Sequence, residues 1–391
     1  WNAILTALIA DGAGRYTITF NGEIYNFREL AKELTQIGHQ LSSTGDTQVL
    51  LAAIAQWGVE GALSRLVGMF AFAVWDAQTQ TLHLARDRIG EKPLHLCELN
   101  GVLYFASELR AFRAIEGFSR SLSEPAVAGY LQFGYVPEPL SIYQGAYKLQ
   151  PGSVLSVPAR RDLRLNERAL AGQEEGGGSG LSPRQYWSCE KVALEASSNR
   201  ITDEAEAARQ FEHLLRQSVK SQILCDVPIG CFLSGGIDSS LVAAVMQAES
   251  SSPVHTFTVR FDTPGFDESE HARAVADHLG TRHEEFLLSE RDVMESVPSL
   301  ISELDEPTAN GSFFAVRQIS RLARTRATVV LSGDGGDELF AGYNRYKLAR
   351  RAWAKAAWMP SLMRQGLGGL LGGRVGQGVG SLMRLAFAFG G

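Results

Sequence analysis

The first half of the chain alternates segments with strand periodicity and segments with helical periodicity. Strand segments combine β-branched and aromatic residues, whereas helical segments repeat apolar residues three and four positions apart. We expect the first strand to end in the turn NGE, and the second helix to be capped by Asp46 and stopped by Gly58. The segments are RYTITF (15–20), NFRELAKELTQIG (26–38), DTQVLLAAIAQWG (46–58), MFAFAVWDAQTQTLHLARD (69–87) and VLYFASE (102–108).

The second half alternates short apolar strands with amphipathic helices, which predicts a right-handed parallel sheet covered on both faces. Ligands of such sheets bind beyond the carboxyl ends of the strands. Glycine-rich loops follow two of the strands, at 234–240 and 332–338, so we expect the ligand site there, with a helix from Ser239. The strand segments are IGCFL (229–233), VHTFTVRF (254–261), RHEEFLL (282–288) and ATVVL (327–331).

A change in composition between the halves predicts a domain boundary. Residues 158–186 are first charged, then glycine-rich, then contain proline, which indicates a linker or surface insertion. The chain therefore divides into a domain over 1–157, this linker, and a domain over 187–391. The glycine-laden tail 366–391 lacks a clean period, and we expect it to be poorly ordered or a truncated helix.

The composition indicates large packed cores and argues against two classes of partner. The chain has 391 residues, of which 45% are hydrophobic, enough for two ordinary domains. A net charge of -6 without a basic tail gives no attraction to nucleic acid or to an anionic membrane. The four cysteines form no CxxC pair, so we expect reduced thiols and a cytoplasmic location. They are Cys97, Cys189, Cys225 and Cys231.

The loop SGGIDSS (234–240) has the chemistry of a phosphate cradle but carries no lysine. Its glycines let main-chain N–H groups approach an anion closely, and its serines add hydroxyl donors. Asp238 would repel bare phosphate, so it indicates Mg²⁺, which takes carboxylate and phosphate oxygens together. Without a lysine the loop suits attack at an α-phosphate, with pyrophosphate leaving and an acyl-adenylate forming. The alternative is a strand-to-helix turn in which Asp238 and Ser239 cap the helix.

A second loop, LSGDGGDELFAGY (331–343), also follows an apolar strand. Asp334, Asp337 and Glu338 fall within five positions, which is costly unless they serve a cation or act as bases. The alternative is a solvated acidic turn, which the preceding apolar strand disfavours.

These two loops, extended to LSGDGGDELFAGYNRY, closely resemble the synthetase domain of glutamine-hydrolysing asparagine synthetases of the bacterial B type. The resemblance runs from about Arg15 to about Arg350. It implies an N-terminal-nucleophile glutaminase of αββα sandwich fold, followed by a Rossmann-like parallel α/β ATP-pyrophosphatase domain. The segments that resemble the family's glutaminase domain are FNGEIYNFREL, GDTQVLL, GMFAFAVWD, LARDRIGEKPL and FASELRA.

The implied reaction converts aspartate, ATP and glutamine into asparagine, AMP, pyrophosphate and glutamate, with ammonia passing inside the protein. The implied partners are these small molecules together with Mg²⁺, with no nucleic acid and no membrane. The resemblance is also compatible with a homodimer.

The resemblance assigns roles to individual residues in both halves. In the glutaminase half, Asn21 and Gly22 match the oxyanion-hole segment, and Glu23 and Asp46 match acids that bind the α-amino group of glutamine. In the synthetase half, Asp334 matches an acid needed for adenylate formation and ammonia attack. Asp337 matches a nearby acid, and both Asp238 and Asp337 are candidate Mg²⁺ ligands. The remaining ATP-binding positions are Phe232, Ser234, Gly235, Gly236, Ser239, Ser240, Val259, Ser332 and Gly333.

The chain departs from the family at both ends. The family's nucleophile is an N-terminal cysteine with its own α-amine as base. Here residue 1 is Trp and no cysteine precedes Cys97, so we expect the chain as written not to hydrolyse glutamine. A family stretch with lysine and arginine after the second loop, which completes the aspartyl-adenylate site, is also not found.

Two other functions remain open at this point. One is a related amidotransferase that acts on another carboxylate, such as a sugar acid, a peptide carboxyl or a β-lactam precursor. The other is a catalytically incomplete remnant that binds or regulates. Each residue also has a structural alternative: NGE as a hairpin turn, Asp46 as a helix cap, and Phe232 and Val259 as core.

Overall fold

The computed structural model describes residues 8–41, 45–159, 164–172, 181–224, 227–262, 267–360 and 363. The chain forms two compact units. Unit 1 comprises Trp1–Ala207 together with Leu304–Thr308, and unit 2 comprises Ala208–Glu303 and Ala309–Gly391. The division falls later than the predicted boundary at 187, and the predicted tail 366–391 lies outside the described residues.

Unit 1 is built on two antiparallel sheets. One sheet has the strand order β1-β2-β3-β4-β8-β9 and the other has the order β6-β5-β7. The strands are β1 (Ile9–Ala10), β2 (Tyr16–Ile24), β3 (Gly68–Asp76), β4 (Thr81–Arg86), β5 (His95–Leu99), β6 (Val102–Ala106), β7 (Ala146–Lys148), β8 (Ser153–Pro158) and β9 (Arg184–Gln185). The helices are α1 (Phe27–Gln36), α2 (Asp46–Arg65), a 3-10 helix (Leu109–Ala114), α3 (Glu124–Phe133), α4 (Glu167–Leu170) and α5 (Cys189–Ser197).

Successive side chains of a strand point to opposite faces of its sheet, and this places the elements in four layers. Phe70 and Phe72 of β3 pack in one core with α1 and α2. The intervening Ala71 points to the opposite face, where it shares a second core with Leu96 of β5. On the far side of β5, Cys97 packs in a third core with the 3-10 helix and α3. The predicted αββα sandwich is confirmed.

Unit 2 is built on a parallel sheet with the strand order β12-β11-β10-β13. Its strands are β10 (Ile229–Phe232), β11 (His255–Phe261), β12 (Arg282–Leu288) and β13 (Val329–Leu331). The helices from residue 204 onwards are α6 (Glu204–Gln222), α7 (Ile237–Glu249), α8 (Ser269–Leu279), α9 (Glu290–Glu303), α10 (Ser312–Ala323), α11 (Gly336–Phe340) and α12 (Asn344–Ala356). None of the described helices is long and apolar enough to cross a membrane.

Helices cover both faces of this parallel sheet. Cys231 of β10 lies in one core with Ala243 of α7 and Ala272 of α8. Phe257 of β11 lies in a second core with Ile319 of α10. The predicted parallel α/β domain is confirmed, and its strands fall within the predicted apolar segments.

The first half departs from its predicted pattern at NGE. Strand β2 continues through these residues to Ile24, because Asn21 and Gly22 stay paired with β3. The prediction of a turn there was wrong. Gly22 has a φ of +156°, and its missing Cβ leaves room for the carbonyl of Met69 on the neighbouring strand. A glycine inside a strand here marks close main-chain approach rather than a chain reversal.

The second helix differs from the prediction at both of its ends. Gly45 is the N-cap residue, and Asp46 is the first residue of α2. Gly58 does not stop α2 but kinks it, with φ 70° and ψ 170°, and helical structure resumes as far as Arg65.

The described residues of 158–186 also pack more closely than a linker would. Ala169 and Leu170 of α4 are fully buried. Strand β9 extends the larger sheet of unit 1 by pairing with β8.

Leu84 tests the packing between the two sheets of unit 1, because it is fully buried in their shared core. We expect Leu84→Ala to lower the free energy of unfolding by about 2–5 kcal/mol, from lost transfer energy and the cavity left behind. Leu131, whose side chain is 59% exposed on α3, provides the control. Leu131→Ala should change stability by less than about 0.5 kcal/mol. Urea denaturation of both variants measures the difference, and equal effects would contradict the layered core.

Candidate active sites

The two glycine-rich loops of unit 2 meet at one edge of the parallel sheet. Strands β10 and β13 are neighbours, with Cys231 paired to Leu331, so the residues after both strands emerge side by side. A Cβ on Gly333 would lie 2.7 Å from the main-chain nitrogen of Ser239, and a Cβ on Gly336 would overlap the carboxylate of Asp238. Glycine is therefore needed where the second loop packs against the first turn of α7.

The first loop is shaped as an amide cradle. Gly235 adopts φ +79°, and a Cβ there would lie 2.7 Å from the main-chain nitrogen of Ala272. Helix α7 begins at Ile237, two residues before the predicted start, and Gly236 caps it without a side-chain hydrogen bond. No capping side chain therefore occupies the N–H groups of the first turn, which carry the positive end of the helix dipole.

The serines of this loop bond to the loop itself. The hydroxyl oxygens of Ser234 and Ser239 lie 2.9 Å apart, and the Ser239 hydroxyl accepts from the Ser234 amide at 3.1 Å. The Ser240 hydroxyl donates to the Gly236 carbonyl at 2.7 Å. These bonds hold the turn in shape, so Asp238 and Ser239 are part of the turn's packing but form no side-chain cap.

The three predicted acids of unit 2 are held differently. Asp238 lies against Gly336, as described above, whereas an oxygen of Asp337 is turned towards Gly342. Asp334 is exposed and accepts a hydrogen bond from the Ser332 hydroxyl at 2.8 Å. The structure thus brings Asp238 to the second loop and orients Asp334 through Ser332.

Phe232 and Val259 also lie near the carboxyl ends of their strands, β10 and β11. Both are partly buried and pack on the core around Phe257. These contacts fit a role as core residues as well as a role in contacting adenosine, because one side of each residue packs inward.

In unit 1, Asn21 is held by a residue that sequence patterning did not single out. Its carboxamide nitrogen donates to the hydroxyl of Ser107 at 3.0 Å. Ser107 follows directly after β6, in the smaller sheet's connection to the 3-10 helix. The quoted segment FASELRA contains this serine, but only the fold pairs it with Asn21.

Glu23 and Asp46 form a pair of carboxylates at the end of β2. Asp46 accepts a hydrogen bond from the Ile24 amide at 3.1 Å, which fixes it beside the strand. Loss of solvation and the nearby Asp46 raise the pKa of Glu23, while Lys92 acts in the opposite direction. Two neighbouring acids with one opposing lysine form a site suited to an added cation.

Comparison with known protein families finds one match in each half of the chain. Residues 9–166 match the glutamine amidotransferase domain, and residues 210–387 match asparagine synthase. Both halves of the chain therefore resemble the glutamine-hydrolysing asparagine synthetases.

Two similar proteins show the extent of the resemblance. Asparagine synthetase (glutamine-hydrolyzing) 1 of Bacillus subtilis is 33% identical over 333 residues, which is 85% of this chain and 48% of the relative. A Mycobacterium tuberculosis protein, provisionally named as the same synthetase, is 34% identical over 362 residues, covering 90% of this chain and 51% of the relative. The chain therefore spans about half the length of the curated relatives it matches.

Asp87 organises the loop that carries Lys92 in unit 1. Its buried carboxylate accepts from the amides of Gly90 at 2.7 Å, Glu91 at 3.0 Å and Lys92 at 2.9 Å. Arg86 closes the same loop by donating to the Gly90 and Lys92 carbonyls. The quoted segment LARDRIGEKPL contains both Asp87 and Lys92, but sequence patterning singled out neither residue.

Cys97 does not take part in either site. It lies buried on β5, and burial raises the pKa of its thiol above the ordinary value. A buried thiol with a raised pKa is a poor nucleophile.

A substitution at Gly22 tests the close approach of β2 and β3 in unit 1. A Cβ at this position would overlap the Met69 carbonyl, so Gly22→Ala should destabilise unit 1 by about 1–3 kcal/mol. Gly12→Ala is the control, because a Cβ at Gly12 meets nothing within 4 Å. Thermal unfolding followed by circular dichroism compares the two variants. A loss of stability in the control of the same size would show that glycine content alone matters.

Proposed function

We propose that the protein containing this chain makes asparagine from aspartate, ATP and glutamine. The observation that carries this proposal is the junction of the two loops of unit 2, where Asp238 at the start of α7 lies against Gly336. ATP would activate the aspartate side chain as β-aspartyl-AMP, with release of pyrophosphate. Ammonia from glutamine would then displace AMP and form the amide.

In unit 2, the cradle of residues 234–240 would hold the leaving pyrophosphate through first-turn amides. Phe232, Val259, Ser332 and Gly333 would contact the adenosine part of ATP. Asp334, oriented by the Ser332 hydroxyl, would serve adenylate formation and ammonia attack. This division fits the fold, because all these residues lie near or beyond the carboxyl ends of neighbouring parallel strands.

Mg²⁺ is the cation that this donor set fits. The described residues hold no group of three or more His, Cys, Asp or Glu side chains suited to a metal. Mg²⁺ in phosphate sites uses one or two carboxylates and takes other oxygens from the phosphates and water. Asp238 would supply one carboxylate and Asp337 a second, and the bound ion would neutralise phosphate charge.

In unit 1, Glu23 and Asp46 would bind the α-ammonium group of glutamine. The raised pKa of Glu23 supports this, because the added cation would relieve repulsion between the two acids. Asn21 and Gly22 would stabilise the oxyanion formed when glutamine is attacked. We also propose a cytoplasmic location and a homodimeric assembly, without nucleic-acid or membrane partners.

Pyrophosphate release tests the synthetase reaction. The full-length protein with ATP and Mg²⁺ should release pyrophosphate when aspartate is added, but not with sugar acids or peptide carboxylates. Asp238→Asn should lower this rate about tenfold or more, because a carboxylate that holds the phosphate-bound cation is lost. Asp292→Asn, an exposed acid in the first turn of α9, is the control and should leave the rate unchanged.

Two outcomes would reject the assignment. Release that depends on another carboxylate would indicate a related amidotransferase. Failure of the full-length protein to bind Mg-ATP would indicate a binding remnant.

The pH dependence of glutamine use tests the role of Glu23. Its carboxylate form is present above its raised pKa, so the KM for glutamine should rise as pH falls through that value. Lys92 lowers the pKa of Glu23, and Lys92→Met should therefore move this acid limb to higher pH. Lys32→Met, on an exposed position of α1, should leave the profile in place. A Lys92→Met profile that does not move would remove Glu23 from the glutamine site.

A further inference from the structure

A five-residue segment from the second half of the sequence belongs to unit 1. Leu304–Thr308 lies in the sequence between α9 and α10, whose residues belong to unit 2. Within unit 1, two consecutive acids of this segment, Asp305 and Glu306, each bind main-chain amides. Specific hydrogen bonds therefore hold the segment in unit 1.

Asp305 binds the start of the 3-10 helix. One carboxylate oxygen accepts from the Leu109 amide at 2.7 Å, and the other accepts from the Arg110 amide at 3.2 Å and its Nε at 3.1 Å. The helix has no side-chain cap of its own, because its N-cap residue Glu108 forms no such bond. Asp305 thus supplies the cap from 196 residues away.

The capped residues lie close in sequence to Ser107, which contacts Asn21. Ser107 precedes Leu109 by two positions, and its hydroxyl accepts a hydrogen bond from the Asn21 carboxamide at 3.0 Å. A carboxamide has two N–H donors in one plane. When one donor is bound by Ser107, rotation of the carboxamide is restricted, and this limits the directions that the second donor can take.

We propose that Asp305 and Ser107 are positioning residues for the Asn21 carboxamide. Asp305 holds the main chain at 109–110, this places Ser107, and the Ser107 hydroxyl orients the donor that faces the oxyanion of glutamine hydrolysis. The proposal rests on the proposed function in assigning the oxyanion to Asn21. It adds that glutamine chemistry in unit 1 depends on a side chain from the region matched by the asparagine synthase family.

Glu306 provides a matched comparison within the same segment. Its carboxylate accepts from the Ile142 amide at 2.7 Å and forms an ion pair with Lys148. It therefore also anchors the segment, but through Ile142 and Lys148 rather than through the amides of residues 109 and 110.

Glutamine hydrolysis by the full-length protein tests the proposal. Ser107→Ala and Asp305→Asn should each lower kcat about three- to tenfold, the effect of roughly one hydrogen bond, with KM unchanged. Glu306→Gln should lower kcat less than Asp305→Asn.

Combining each substitution with Asn21→Ala distinguishes a positioning effect from a general loss of folded structure. Neither Ser107→Ala nor Asp305→Asn should lower kcat further in that background, because both act through the missing carboxamide. If each substitution lowered kcat by the same factor with and without the Asn21 carboxamide, the proposal would be overturned.

A second measurement does not depend on activity. In protein labelled with ¹⁵N-asparagine, the side-chain NH₂ signal of Asn21 is identified as the one lost in Asn21→Ala. This signal should shift in Ser107→Ala and in Asp305→Asn, but not in Ser119→Ala, an exposed serine elsewhere in unit 1. An unmoved signal in Asp305→Asn would overturn the proposal, whereas absent glutamine hydrolysis with a shifted signal would count only against the proposed function.

Discussion

Within each unit, two main-chain segments pack more closely than a Cβ atom would allow. At Gly22 the missing Cβ leaves room for the Met69 carbonyl, and at Gly333 it leaves room for the first turn of α7. These contacts place the end of β2 at the proposed glutamine site and the acidic second loop at the proposed phosphate cradle. Since the cradle's hydroxyls are already bonded within the loop, its capacity for anions rests on main-chain amides that the close packing orients.

Two carboxylates of unit 1, Asp87 and Glu23, have their negative charge compensated to different extents. Asp87 is fully buried, and main-chain amides surround it, so its charge is satisfied within the protein. Glu23 instead lies near a second acid, and its pKa is raised. The first arrangement stabilises a loop, whereas the second leaves a charge imbalance that a ligand can relieve.

The sequence predicted the elements that depend on local periodicity. The apolar runs before both loops became neighbouring parallel strands, because short β-branched segments flanked by glycine have few other structures open to them. The strand through NGE was missed, since the space required at Gly22 is set by Met69 on another strand. Gly58 was expected to stop a helix, yet apolar residues beyond it, such as Leu63, are fully buried and carry the helix onward. The roles of Ser107 and Asp305 depend on partners 86 and 196 residues away, which no local pattern encodes.

The segment Leu304–Thr308 also bears on how this polypeptide could be divided. A piece ending at Ala207 would retain every strand of the αββα sandwich but would lose both acids of the segment. The amides of Leu109, Arg110 and Ile142 would then lose their acceptors, and Lys148 would lose its ion-pair partner. Gene fission between the two matched regions would therefore separate unit 1 from two acids that bind its main-chain amides. A split pair would have to restore this short acidic peptide in trans, as fragment complementation does.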